Sequence, residues 1–366
     1  MFVVIGVLTV LLSWFLIASI PTFQDKKGNN LPIISLQELT IIIPARNEES
    51  NLETLLDSLL PYKDHLREIL VMDDHSTDGT VEVAKKYKVD VITLPPLPKG
   101  WFGKAWGLWN GAKYAKGSYL IFLDADTWVQ KGGLEKIANE YKGSKNVISI
   151  QPYHVMKSNI EKLSSFFHLV IMSSIGSFHF FSKYVKTSGA FGQCMFISKK
   201  DYFHFGGHEK VKGELMENLA FAKIIQQRGG RVFCFSGKGA IEMRMYSSKI
   251  GSIIAGWGKS FATGAVKTNI IYLALVSIWI SGMFTVLTNF SINVYMKVFF
   301  YLMIVLHIRW SLAKVGNFGW GTAFLYPVHL MFFLLVFIYS SFITFGSKNG
   351  KWKGREIVIQ DKVDKF

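Results

Sequence analysis

Between Lys267 and Lys297, and again between Lys314 and Lys348, the chain carries no acidic or basic residue. Residues 1 to 20, MFVVIGVLTVLLSWFLIASI, are charge-free as well. About 20 consecutive apolar residues match the thickness of a bilayer core. The segments 1–20, 270–290 and 322–345 therefore read as membrane helices. The segment 292–310 is a further candidate, interrupted by Lys297, His307 and Arg309. The first segment lacks a basic n-region and a cleavage site, so an anchor fits better than a removable signal. Asp25, Lys26 and Lys27 follow it, which favours an outside N-terminus and a cytosolic body. The tail, SKNGKWKGREIVIQDKVDKF, is basic and reads as cytosolic. Three C-terminal spans would place it outside. Either one of the three is re-entrant or interfacial, or the charge rule fails here.

The formal charge of +15 over 366 residues has two uses. Basic residues beside apolar segments attract anionic headgroups, at roughly 1 kcal/mol each. A basic cleft attracts a nucleotide diphosphate. Nucleic acid fits poorly, because the basic residues flank the apolar segments instead of forming one aromatic-interleaved patch. Cys194 and Cys234 form no disulfide framework and read as buried small residues in a reducing compartment.

From residue 39 the pattern alternates between short apolar runs and amphipathic stretches. LTIIIP (39–44) precedes a helical 48–60, EILVMDD (68–74) precedes 77–87, VDVITL (89–94) precedes 104–115, and SYLIFLDAD ends at 126. Such alternation predicts an α/β body with a doubly wound parallel sheet. Ligands of these sheets sit outside the carboxyl ends of the strands. There the sequence places Arg46, Asn47 and Glu48, then Asp73 and Asp74, then Asp124 and Asp126. Neither GxGxxG nor GxxxxGK[ST] is present, which argues against a dinucleotide enzyme and a P-loop NTPase.

Asp124-Ala-Asp126 at a strand end can hold Mg²⁺ or Mn²⁺, with phosphate and water as the other ligands. A solvated strand end would also carry such a pair. In DDHSTD (73–78), Ser76 fits a helix N-cap and Asp78 a first helical turn, leaving Asp73 and Asp74 for a base or ribose. KGWFGKAW (99–106) opens a helix with glycines and Lys104, an anion site or a loop with inward aromatics. The charge-poor 163–181 reads as a helix against the membrane face or roofing a lipid groove, and 247–262 likewise, with Trp257 and Lys259 at the interface. Arg244 could hold an acceptor carboxylate bidentately, or be a surface arginine packing its stem.

IIIPARNEE, VMDDHSTDGT, GKAW and FLDAD in this order resemble the GT-A nucleotide-sugar enzymes of glycosyltransferase family 2, over about residues 38 to 235. The resemblance implies that Pro44, Arg46, Glu48 and Asp74 line the nucleotide pocket. It also implies that Asp124 and Asp126 are the metal-diphosphate pair, with Lys104 near the diphosphate. SIQPYH (149–154), Gly206-Gly207-His208, GWGKSFATGA (256–265) and Trp352-Lys353-Gly354-Arg355 are similar to the membrane-anchored carotenoid glycosyltransferases. That resemblance implies glucose transfer from UDP-glucose to the carboxyl end of a C30 carotenoid acid. The tail also resembles ceramide and hopanoid glucosyltransferases.

Two departures bear on mechanism. Where much of family 2 has Glu-Asp, with the aspartate as base, this chain has Glu217-Asn218. The QxxRW motif of processive synthases is reduced to Gln226-Gln227-Arg228-Gly229, which favours single-sugar transfer. A carboxylate acceptor needs no base, whereas a hydroxyl acceptor would need Glu217. Glu217 and Asn218 are expected to face the acceptor together with Arg244 and Trp257. A catalytically dead sugar-nucleotide binder is a remaining reading, opposed by the intact Asp124 and Asp126. The expected organisation is an anchor at 1–22 and a cytosolic GT-A domain at 38–245. An interfacial amphipathic helix at 246–266, two or three membrane helices in 267–346 and a tail at 347–366 complete it.

Overall fold

The computed structural model describes residues 2–24, 34–214, 216–246, 249–258, 261–289 and 293–346, and the backbone of two strands beyond. Asp25–Lys27, Lys259 and most of the tail lie outside the described residues. In chain order the elements are α1 (Phe2–Leu16), β1 (Leu39–Ala45), α2 (Glu49–Leu59), β2 (Glu68–Asp73), α3 (Thr80–Lys86) and β3 (Asp90–Thr93). Next come α4 (Gly103–Tyr114), β4 (Tyr119–Leu123), β5 (Thr127–Val129), α5 (Gly133–Asn139), β6 (Asn146–Gln151), β7 (Tyr153–His154) and α6 (Ser165–Ser174). The body closes with β8 (Cys194–Ser198), α7 (Lys199–His204), α8 (Glu217–Gln227), β9 (Arg231–Ser236) and β10 (Ile241–Met243). The apolar end holds α9 (Ile250–Gly258), α10 (Phe261–Lys267), α11 (Ile270–Thr288), α12 (Val294–Val315), α13 (Gly319–Phe324) and α14 (Tyr326–Gly346), then the hairpin β11 (Asn349–Trp352) and β12 (Arg355–Val358).

The main sheet has the order β3-β2-β1-β4-β8-β6-β9. β1 to β4 are parallel, and β6 is parallel to β9. β8 runs against both its neighbours. The strands read from 39–126 are parallel as expected; the sheet as a whole is mixed, because β8 enters from a long excursion through α6 instead of a crossover helix. β1 is a β-branched run buried on both faces, which suits a central strand. Leu52, Leu55, Leu56 and Leu59 form the stripe by which α2 covers one face. α4 covers the other at very close range. A Cβ on Gly111 would collide with Ile42, so only glycine lets the helix approach. A small second sheet, β5-β10-β7, braces the strand ends.

A separate apolar core joins α1, α6, α9, α11, α12 and α14. α11, α12 and α14 are each long and apolar enough to cross a membrane. α1 is shorter than the expected span. Its chain becomes extended after Leu16, because Ala18 N–H bonds the Phe178 carbonyl (2.8 Å) and Phe23 N–H the Lys238 carbonyl (3.0 Å). The expected helix over 163–181 is instead the short α6 followed by turns. α6 is a buried layer between body and apolar helices, since Phe166, Phe167, Leu169 and Met172 are all enclosed.

Candidate functional site

The ends of β1, β2 and β4 open onto one crevice. Arg46 donates to the Asp74 carbonyl and lies 3.8 Å from its carboxylate. Asn47 and His75 take positive φ values of 54° and 55° side by side, a costly backbone that clusters at functional sites. Asn47 Oδ1 accepts from Thr77 N–H (2.8 Å) and Ser76 Oγ from Asn47 N–H (3.0 Å), so the two loops hold each other. Ser76 is therefore not an N-cap. Asp78 takes that work, accepting from Thr80 N–H (3.1 Å) and Glu49 N–H (3.2 Å) at the starts of both helices. Glu48 accepts from the Asn51 amide (2.8 Å), and Pro44, just before the end of β1, lies beside Gly107.

Lys104 Nζ sits 2.6 Å from one Asp124 oxygen and 2.8 Å from the other, and donates to the Gly192 carbonyl at 3.2 Å. Burial works against its charge. The carboxylates of Asp124, Glu217 and Asp126 outweigh that and hold the ammonium above the ordinary lysine range. Asp126 is pushed up to about 7, first by burial, then by Asp124 and Glu48. The pair thus carries more negative charge than Lys104 neutralises. Two hard oxygen donors with surplus charge suit a divalent cation. Among the described residues no cluster of three His, Cys, Asp or Glu side chains converges. Diphosphate and water would have to supply the remaining ligands.

Glu217 opens α8, and its Oε1 accepts from the Asn218 amide at 3.2 Å. Burial pushes its carboxyl above the ordinary range, while Lys104 pulls it back. A Cβ on Gly192 would collide with Asn218 Nδ2, so the glycine makes room for the asparagine. Behind this pair lies a cavity of about 490 Å³. Glu217, Asn218, Gln193 and Gln151 form its polar end, and its apolar walls come from α6, α10, α11 and α14. Two buried polar atoms on its lining, Gln193 Oε1 and Trp257 Nε1, have no partner among the described residues.

Two expectations are corrected. Trp257 is not at a water interface: it is buried, stacked on Phe167 at 4.7 Å, and lines the cavity. Arg244 does hold a carboxylate, but it is the buried Glu161 of the same chain, at 2.8 Å. Gln226 and Arg228 bond backbone carbonyls, of Thr187 (2.8 Å) and His204 (2.7 Å). His208 is buried under α4, bonded to the Tyr202 hydroxyl (2.8 Å), and desolvation takes it down to about 3. Sequence reasoning missed Gly192 and Gln193, and held Gln151 only within the SIQPYH resemblance. The only signal was a polar Gly-Gln inside the apolar run GAFGQCMFI.

The fold defines the class. A mannosyltransferase from Pyrobaculum calidifontis, solved in complex with GDP-Man and Mn²⁺, is similar with a TM-score of 0.53 and 13% identity, covering 92% of this chain and 99% of that one. That likeness is one of fold. Residues 40–204 match glycosyl transferase family 2. The 4,4'-diaponeurosporenoate glycosyltransferase of Staphylococcus haemolyticus is 33% identical over 88% of this chain and 89% of its own length. The protein of the same description from Staphylococcus aureus is 30% identical over 88% of each. The chain belongs to glycosyltransferase family 2, as an enzyme with a GT-A sheet and an apolar helical end.

Proposed function

We propose that the chain transfers glucose from UDP-glucose to the carboxyl group of a C30 carotenoid acid such as 4,4'-diaponeurosporenoate, with inversion, giving a glucosyl ester. The observation that carries this reading is the cavity. It starts at Glu217 and Asn218 and continues between apolar helices, a route for an acceptor dissolved in the bilayer. The relatives' descriptions support the acceptor class. The catalytic domain is read as cytosolic.

On the donor side, Pro44, Arg46, Glu48 and Asp74 would line the base and ribose. Arg46 acts by fixing the Asp74 loop that it bonds. Asp124 and Asp126 would hold Mg²⁺ or Mn²⁺, which neutralises charge on a leaving diphosphate when bound. Lys104, fixed between Asp124 and Gly192, adds a preorganised positive charge at the same place.

In the reaction an acceptor carboxylate oxygen attacks the sugar C1, the bond from C1 to the diphosphate oxygen breaks, and UDP leaves with the electron pair. A carboxylic acid, with a pKa near ~4 in water, arrives already ionised, so no proton has to be moved. Asn218 in place of an aspartate then costs nothing, and its amide and the Trp257 indole N–H can donate to the acceptor's oxygens. Trp257 and Asn218 are the acceptor contacts of this reading. Arg244 has no acceptor role in this reading, since its guanidinium is held by Glu161.

A second reading rests on the raised Glu217 carboxyl. A buried carboxylate of increased basicity suits proton abstraction from a lipid hydroxyl of ceramide, hopanoid or diacylglycerol type. Glu217→Gln assayed on a carotenoid acid and on a lipid alcohol separates the two. We expect retained ester formation. Near-complete loss of it, with fold and UDP binding intact, would overturn the base-free mechanism.

A further inference from the structure

α11, α12 and α14 are all apolar enough to cross a membrane, yet they are packed in two different ways. α11 runs antiparallel to α1: Gly282 sits on Thr9, and the Trp279 indole donates to Ser13 Oγ at 2.6 Å. α12 runs parallel to α1: Phe300 covers Gly6, and His307 reaches the Ile17 carbonyl at 3.2 Å. The three form a bundle in which α1 and α12 end, and α11 begins, at the catalytic domain. α12 delivers the chain there, since Gly316 bridges to His154 and Asn317 bonds Met156 N–H at 2.7 Å.

After Asn317 the chain turns back. α13 returns beside α12, with Trp320 over Arg309 at 5.3 Å. At the break between α13 and α14 the Phe324 carbonyl accepts from the Tyr301 hydroxyl, in the half of α12 away from the catalytic domain. A helix break inside a bilayer is tolerated when its freed backbone groups find such protein partners. α14 then stays against the body. His329 Nδ1 contacts Ser165 Oγ (3.0 Å) and the Lys162 carbonyl (2.9 Å), and Phe333 packs on Phe167 (5.0 Å). Ser340 Oγ accepts from Ala262 N–H at 3.1 Å. Both ends of this stretch are tied to the catalytic domain: Glu161, next to Lys162, bonds Arg244, and Gly264, near Ala262, lies beside Met216. From His329 to Ser340 a helix advances about 16 Å. A membrane-crossing α14 would leave the domain over that distance, and this one does not.

We propose that α13 and α14 form a re-entrant hairpin that enters and leaves on the catalytic side. The chain then crosses the bilayer three times, by α1, α11 and α12, and the basic tail lies on the side of the active site. The apolar character of α14 on every face follows from its surroundings. Leu330, Phe333 and Val336 bury against protein, while Val328, Leu335 and Phe342 face outward to acyl chains. α14 and α11 become the two jambs of a lateral opening to the cavity, through Phe333 and Phe337 on one side and Val276 and Ile280 on the other.

The test is independent of the acceptor. Cys194 and Cys234 are buried, so background thiol labelling is low. Full-length variants carrying Lys85→Cys, Tyr295→Cys or a cysteine appended after Phe366 are placed in sealed vesicles and treated with a membrane-impermeant maleimide. Lys85 marks the body and Tyr295 the far end of the bundle. The appended cysteine is expected to label from the same face as Lys85→Cys, with Tyr295→Cys protected. Labelling of the tail with Tyr295→Cys from the opposite face makes α14 a true crossing and overturns the proposal. Labelling of all three from one face overturns it as well, because the bundle would not cross.

Discussion

The two sides of the active site are built on opposite physical plans. On the donor side several polar groups already have internal partners: Arg46 with Asp74, Ser76 and Thr77 with Asn47, and Lys104 with Asp124. On the acceptor side the wall is apolar, and Gln193 Oε1 and Trp257 Nε1 are buried with no partner among the described residues. A charged, strongly hydrated diphosphate demands fixed donors and charges, which cost reorganisation unless preset. An apolar acceptor demands mainly volume, and only its reacting end needs polar contacts. The difference shows where changes should act: on turnover at the donor side, on acceptor affinity at the cavity.

The largest effect is expected for Asp124→Asn. It removes half of the carboxylate pair and the partner of Lys104, and should cost about 10²–10³ in kcat. Acceptor KM should stay near its original value. A rise in acceptor KM without a fall in kcat would erase the division between the two sides. Next, Arg244→Met removes the cation from the buried Glu161 carboxylate, which keeps the Lys157 N–H and the Ser158 hydroxyl as donors. It should lower stability by about 1–3 kcal/mol, read from denaturant unfolding, the range for a hydrogen bond to a charged group. If Arg244 instead touches the acceptor, KM rises while stability holds.

Gly264→Leu brings bulk into the cavity beside Met216. It should raise acceptor KM roughly tenfold, about 1.4 kcal/mol, and leave acceptor-independent hydrolysis of the sugar nucleotide unchanged. Loss of both activities would mean that the cavity shapes the donor site too.

The smallest effect concerns Asp126 and has a definite sign. Its folded value lies near 7, above the ordinary 3.8. Its contribution to stability is therefore present below pH 3.8 and lost as pH rises through about 7. Without metal, Asp126→Asn should thus raise Tm at pH 8 by about 2–4 °C per kcal/mol recovered, and should leave it little changed at acid pH. A lowered Tm at pH 8 would show that the carboxylate is not strained in the fold.

Much of the donor side was legible along the chain. Each strand end is local: an apolar run followed by its carboxylates puts Asp74, Asp124 and Asp126 at one sheet edge whatever surrounds them. The starts of α2, α3 and α4 could be read from the same alternation. Ser76 as a cap could not, because Asp78 competes for both helix starts through contacts between different loops. Trp257 and Arg244 were misjudged for a similar reason. Whether a tryptophan faces water or Phe167, and whether an arginine meets a ligand or Glu161, depends on partners some 80–90 positions away.

What the sequence determined by itself was the α/β body, its ligand-bearing edge and the apolar nature of both ends, because periodicity and charge are local. Only the tertiary structure decided that β8 reverses, that α6 is buried, and that Glu217 and Asn218 face a cavity lined by helices from the far end of the chain. The physical reason is that hydrophobic burial is non-directional. Apolar stretches such as 163–174, 270–288 and 326–346 carry nearly the same signal. Which of them packs under the body, which joins the bundle and which walls the cavity is settled by close contacts such as Gly282 on Thr9 and Ser340 on Ala262, which pattern and composition do not encode.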